Sequence, residues 1–239
     1  MKKSKSGDPI YNNDDYVEKG FEPASGDPSI EEISDHIEKY IGEIHTVYHE
    51  IISDKVHIDV HMIKPTEERP YHTLVTSGMS DRPMHTPEDV DDSRFAELSI
   101  CLPKEWKLSD DDLENEKYYW PVFWLKYLAR FPHDYSTWLS FGHTIPNGNP
   151  AEPLTEGTQL NTMLLLPSVV FDSGFHTLEL ENKIIDFYTL IPIYQEELDL
   201  KLEKGVRALY DGFDRYNVSD VVDLNRPNTV AKKKKWWQF

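Results

Sequence analysis

The sequence predicts an α+β domain: a mixed, largely antiparallel sheet packed with about three helices. Three observations predict it. Val56, Ile58, Val60 and Met62 alternate with His57, Asp59 and His61, the period of a strand with one buried face. Apolar residues recur at spacings of three and four in residues 30–51, 124–131 and 198–213, the period of helices that each bury one side. Segments of the two kinds alternate along the chain, which is the α+β pattern.

Residues 1–26 are polar, with scattered Gly, Pro, Asn and Asp and no periodicity, so residues 1–28 are expected to form a flexible arm. Ser29 stands where it can cap a helix, and Glu32, three residues on, would complete a capping box. Ile30, Ile33, Ile37, Ile41, Ile44, Tyr48 and Ile51 then fall on one helical face. After the strand at 56–62, Pro65 and Pro70 bracket a turn, and residues 71–77 form the next strand. Gly78 ends it, where the backbone needs a conformation that other residues disfavour. An acidic loop at 87–92 leads to a third strand, 95–102, which Pro103 ends. The topology expected so far is a helix followed by an antiparallel meander.

Trp106 is expected to fold back onto that sheet, since a large aromatic buries more area than its neighbours. The run SDDDLENE is a solvated acidic loop. Pro121 suits the first turn of a helix, Trp124, Leu125, Leu128 and Phe131 form its stripe, and Pro132 stops it. Gly142 and the stretch Asn147-Gly148-Asn149-Pro150 punctuate short segments that follow. Apolar runs at 160–166 and 184–191 are buried strands. A last helix over 195–216 carries Leu198, Leu202, Val206, Leu209 and Phe213 on one face. The organised body is therefore expected at 29–228, followed by a basic, aromatic tail at 229–239 that ends KKKKWWQF.

Composition narrows the function. A chain of 239 residues with 38% hydrophobic content can bury a sizeable core. The formal charge of −18 repels phosphates, so a nucleic-acid partner is not expected, whereas a basic protein partner is accommodated. The single cysteine, Cys101, excludes an intramolecular disulfide and a cysteine-based zinc site. No apolar stretch follows the N-terminal lysines, and no run of about 18 apolar residues occurs, so neither a secretory signal nor a membrane helix is expected and a cytoplasmic location is. Lys232 to Lys235 with Trp236 and Trp237 give only a weak attraction to an anionic membrane, and no membrane partner is expected.

Several groupings invite a catalytic or metal-binding reading. His57, Asp59 and His61, at alternate positions of one strand, could hold zinc or iron on one face and so serve a metal-dependent hydrolase. The plainer reading is the polar face of a half-buried strand, with His36, His45 and His49 on the preceding helix, and no metal or other cofactor is expected. Ser77 and Ser80 flank a turn without the G-x-S-x-G elbow that exposes a nucleophile. Cys101 sits on an apolar strand, as an inert thiol would. His133, Asp134 and His143 have no serine or cysteine at a defined spacing, and the 110–116 acidic run lacks the glycine of a calcium loop. No catalytic residue is assigned.

Six blocks follow one another in order: YHTLVTSGMSDRPM, FAELSICLPKEW, WPVFWLKYLARFPHDYSTWLSFGHTIP, MLLLP, IIDFYTLIPIYQEELDLKLEKG and VVDLNRPN. Together they resemble the suppressor-of-fused (SUFU) family over residues 30–228, in its bacterial, single-domain form. The resemblance implies a non-enzymatic protein-binding domain. Animal members grip an extended strand of a transcription factor; many bacterial members look like immunity proteins that neutralise a toxin. It implies that this chain is an immunity protein binding a basic toxin domain, with a peptide-binding adaptor that sequesters a client as the alternative. It places partner contact at the end of the aromatic helix and the strand after it, here Phe131, Trp138, His143 and Ile145. It also gives Glu197 the task of positioning the last helix and Arg226 a structural ion pair.

Overall fold

The computed structural model describes residues 2–11, 20–50, 53–88 and 94–230. The elements are a small hairpin, β1 (Lys2–Lys3) and β2 (Pro9–Ile10), then α1 (Ile30–Tyr40), β3 (Ile44–Tyr48), β4 (Asp59–Ile63), β5 (Tyr71–Ser77) and β6 (Phe95–Pro103). There follow α2 (Asp110–Leu113), α3 (Glu116–Tyr135), β7 (Thr144–Pro146), β8 (Thr162–Leu166), β9 (Thr177–Glu179), β10 (Ile184–Ile193), α4 (Gln195–Lys204) and α5 (Tyr210–Tyr216). The main sheet runs β3-β4-β5-β6-β10-β8-β7, with β9 paired to β10. Every pairing is antiparallel except β6 with β10, which is parallel from Phe95↔Ile185 to Ser99↔Thr189.

Helices cover both faces of this sheet. On one, Trp120, Trp124, Leu125 and Leu128 of α3 pack on Val60, Met62, Leu74, Leu98 and Ile100, and the half-buried Trp106 joins them. On the other, Ile33 and Ile37 of α1 meet Ile63, Val75, Ile185 and Phe187, while Leu198, Leu209 and Phe213 cover Leu164, Leu166, Ile191 and Ile193. The central strands are consequently buried on both sides, and β4 is buried at all its positions. The half-buried strand expected at 56–62 is in fact a strand over Asp59–Ile63 whose polar residues are internal. Each fully buried Leu or Ile contributes roughly 1.5–3 kcal/mol, and this sandwich of layers is where that contribution accumulates.

The expected long first helix divides. It ends at Tyr40; Gly42 takes φ +136°, and Ile44, Thr46, Val47 and Tyr48 form edge strand β3 instead. Three β-branched residues in five positions, Ile44, Thr46 and Val47, fit a pleated strand better than a helix, and spacing alone did not separate the two. Ile51, expected on the same face, lies outside the described residues. Ser29 precedes α1 but its side chain makes no capping hydrogen bond. Neither proline of α3 marks an end. Pro121 and Pro132 lie inside the helix, which stops at Ser136 in the left-handed region (φ 50°). The missing N–H of Pro121 leaves the carbonyl of Lys117, an exposed residue, to water. Gly205 (φ 86°) splits the expected last helix into α4 and α5.

Of the segment expected as an arm, the described residues make ties to the body. Ser6 N–H donates to the Leu202 carbonyl, Ser25 N–H to Lys55 and Asp27 N–H to Asp81. The Lys183 ammonium, itself buried, donates to the carbonyls of Asp27 (2.6 Å) and Ser80 (3.0 Å). The 231–239 part of the tail lies outside the described residues.

Two buried carboxylates organise the ends of the sheet. Glu97 on β6 accepts from Thr76 Oγ1 (2.6 Å), Ser80 Oγ (2.7 Å), and the N–H groups of Gly78 (3.0 Å) and Ser80 (2.9 Å). It thereby holds the turn after β5, where Gly78 adopts φ +103° and a Cβ would fall 1.8 Å from the His57 carbonyl oxygen. Glu197 on α4 accepts from both Nη atoms of Arg226 (2.8 and 2.5 Å), from Tyr194 N–H (3.0 Å), and from the N–H and Oγ1 of Thr229 (3.0 and 2.8 Å). Arg226 also donates to the Pro192 carbonyl at 2.9 Å and lies over the rings of Tyr194 and Phe213.

Gly78→Ala is expected to cost more than about 2 kcal/mol in urea unfolding, because both the positive φ and the His57 carbonyl oppose a side chain. Arg226→Met should cost about 3–5 kcal/mol by leaving Glu197 buried without its cation, and Glu197→Leu/Arg226→Met together should cost less than Arg226→Met alone. A double variant no more stable than that single one would contradict this assignment. Stability should also fall in acid. Burial pushes His61 and His133 down from 6.5 to about 4, so the unfolded chain binds protons at these sites below about pH 6.5 while the folded chain does not until near 4. Glu97 acts oppositely: burial raises it from 4.5 to about 7, and its share of stability grows as pH falls through that window. His143 is pushed down to about 4 in the same way, and Asp81, raised by burial to about 6, acts with Glu97. Three imidazoles outweigh two carboxyls, and the net loss between pH 7 and pH 4 should be on the order of 4 kcal/mol. Glu97→Gln should steepen the decline in stepped-pH denaturation, and a flat profile would refute the scheme.

Candidate protein-binding surface

Strand β7 ends the main sheet, so one of its sides has no strand partner among the described residues. Such an edge offers backbone donors and acceptors in a row. Ile145 sits in the middle of it and is largely covered by the core. Just upstream, His143 packs edge-on against Trp138 at 5.1 Å, and Tyr11 from beyond the N-terminal hairpin also meets Trp138 edge-on at 5.0 Å. Burial, and then the charge of Lys201, push His143 down to about 4, so its ring is neutral at ordinary pH. Phe141, two residues before His143, is 43% exposed.

Phe131 does not join this group. It belongs to an aromatic ladder along α3, Phe123–Tyr127–Phe131–Tyr135, with successive centroids 5.8, 6.0 and 4.6 Å apart. Phe123, 47% exposed, and Tyr119 stand at its outer end, beside a surface depression lined also by Lys126, Arg130, His49, Glu50 and Asp134. Of the four residues expected to touch a partner, Trp138, His143 and Ile145 gather at or beside β7, while Phe131 stacks along α3 and packs on the same core that Trp138 and Ile145 enter. Trp138 and Ile145 are mainly packing residues. The exposed Phe141 and Tyr119 were missed; both are aromatics that fall off the apolar periodicity, which was the available signal.

The groupings with chemical potential resolve as follows. His133 Nε2 donates to the Met79 carbonyl at 3.0 Å, and Asp134 pairs with Lys55 at 2.5 Å. Cys101 is fully buried, and burial raises its thiol pKa far above the ordinary value. Ser80 serves Glu97. Ser77 Oγ lies 2.8 Å from His61 Nε2, a serine–histidine pair that spacing did not reveal, but both are buried and no carboxylate engages His61 Nδ1 among the described residues. The expected trio His57, Asp59 and His61 is not one cluster. Asp59 bridges His57 and His49 instead, because β3 ends beside the start of β4 and the helix that would have carried His49 away does not exist.

The sequence model for "Suppressor of fused protein (SUFU)" matches residues 54–227. An uncharacterized protein of Ureaplasma parvum serovar 3 is 27% identical over 162 residues, 66% of this chain and 73% of that protein. Among solved structures, a SUFU homologue from Neisseria gonorrhoeae superposes with TM-score 0.59 at 17% identity, over 85% of this chain and 97% of that one. The structure titled the Sufu-Fu complex gives 0.60 at 15% identity, over 86% and 93%. Drosophila Suppressor of Fused gives 0.58 at 16%, over 89% of this chain and 54% of its own. The family model spans most of the chain, and the solved structures share its fold: this chain belongs to the suppressor-of-fused protein family.

Proposed function

We propose that this domain binds another protein without performing catalysis, and that it is a cytoplasmic immunity protein neutralising a toxin by covering it. The observation that carries the reading is the β7 edge with exposed aromatics about it, Phe141 after the Trp138 cluster and Tyr11 against Trp138. An edge strand accepts an incoming strand through its backbone, and aromatic side chains beside it supply contact area at low entropy cost. The buried ionisable groups support a binding role over a catalytic one, since Glu97, Glu197 and His133 are each occupied by internal partners. The charge of −18 favours a basic toxin domain and would speed its approach. A solved structure titled the Sufu-Fu complex contains a relative of this fold with a partner.

Co-expression with a toxic gene product encoded beside this chain should restore growth. Phe141→Asp should weaken capture of that product at least ~10-fold, about 1.4 kcal/mol, with melting temperature little changed because the half-exposed ring belongs to none of the core clusters. Association should also slow as salt rises. If no neighbouring product is toxic or bound, the immunity role is wrong. If a short extended peptide binds as tightly as the whole partner, the domain is an adaptor for linear segments.

A further inference from the structure

The β3–β4 connection begins and ends at one buried carboxylate. Asp59, the first residue of β4, is 2% exposed, and each of its oxygens faces an imidazole: Oδ2 lies 2.9 Å from His49 Nδ1, and Oδ1 lies 3.0 Å from His57 Nε2. These donor atoms all fall within 4.8 Å of one another. Two imidazole nitrogens and a carboxylate oxygen at that spacing form the donor set of a borderline divalent ion. The histidines are substantially exposed, with side chains 66% and 45% accessible, so an ion could enter from solvent and keep water on its remaining positions.

The surroundings have what a metal site needs beyond its donors. A ligating histidine usually has its other ring nitrogen held by an outer partner that fixes the ring and selects the ligating atom. His57 Nδ1 is 2.6 Å from Ser53 Oγ, which leaves Nε2 directed at Asp59. Ser53 Oγ lies 3.2 Å from Glu50 Oε2, and Glu50 is ion-paired to Arg130 of α3, so the chain of contacts is anchored on a helix. Glu50 N–H also donates to Asp59 Oδ1 at 3.3 Å. A separate observation points the same way. His61, two positions along β4 and on the same face as Asp59, is 1% exposed, and its Nδ1 has no hydrogen-bond partner among the described residues. A buried imidazole nitrogen without a partner is costly unless something polar reaches it.

We propose that His49, His57 and Asp59 form a binding site for a zinc-class divalent cation, which clamps the end of β3 to the start of β4. The ion replaces the two imidazole–carboxylate hydrogen bonds with coordination to the same atoms. The role is to fasten the edge of the sheet. It is independent of the β7 surface, which lies at the opposite end of the strand order.

The test is calorimetric titration of the full chain, stripped with chelator, with zinc chloride at neutral pH. Wild type should bind one ion per chain and melt at a higher temperature when loaded. His49→Gln/His57→Gln should lose affinity by more than the roughly 10- to 100-fold that removal of an outer partner costs, and its melting temperature should no longer respond to zinc. Ser53→Ala should fall in between, and His45→Ala, at the one exposed position of β3 and away from the cluster, should match wild type. Both glutamine substitutions are at exposed rings, and circular dichroism of the unloaded proteins checks that they fold alike. Cobalt in place of zinc should give visible absorption bands in wild type and none in the double variant. Equal zinc affinity in wild type and the double variant, or no binding by wild type, overturns the proposal.

Discussion

A carboxylate taken out of water must be surrounded by donors or it unfolds its surroundings, and this domain rests on two that are so surrounded. Glu97 gathers four donors from the 76–80 segment, so the sharp turn after β5 has one backbone path open to it. Glu197 gathers the C-terminal segment through Arg226 and Thr229, the N-terminus of α4 through Tyr194, and, through Arg226, the end of β10. One sits where the meander reverses and the other where the chain leaves the sheet. Between them the apolar layers need only fill space, because the polar anchors have fixed the register of the pieces.

Much of the architecture was legible. The strands at 71–77 and 95–102, the aromatic stripe of α3 and the buried runs at 160–166 and 184–191 follow from period and composition, and the structure places strands or helix at each. What was not legible had a physical reason in each case. Ile44 and Tyr48 satisfy helical spacing and strand composition equally, so only Gly42 and pairing with β4 decide between them. Pro121 looked like a helix start because a proline's lost hydrogen bond is harmless there, yet it stands inside α3, one turn after the exposed Lys117 whose carbonyl it leaves without a helical partner.

The candidate sites were less legible than the fold. Trp138, His143 and Ile145 do gather near an edge strand, but a sequence does not say which aromatic of such a group is spent on packing and which is left outside. His57 and Asp59 were paired by their spacing along a strand, whereas their third companion, His49, is close only because β3 lies alongside β4. That proximity is a product of sheet pairing and has no local signature. From the recurring blocks, Glu197 was expected to position the last helix and Arg226 to make a structural ion pair; that the two are partners of one another is what the geometry adds.

Strand β10 is the tenth to leave the ribosome and the one on which the sheet closes, since it alone joins β6 to β8 and β9. Its parallel partner β6 is complete long before, with Phe95 waiting for Ile185. During synthesis the early meander therefore presents a bare hydrogen-bonding margin flanked by Ala96, Leu98 and Ile100, an apolar strip suited to mispairing with a sister chain. Such distant closure makes collapse of the whole sheet slow and late. A chain built this way has reason to be made alongside whatever holds nascent edges apart, and its yield should depend on that help more than on its final stability.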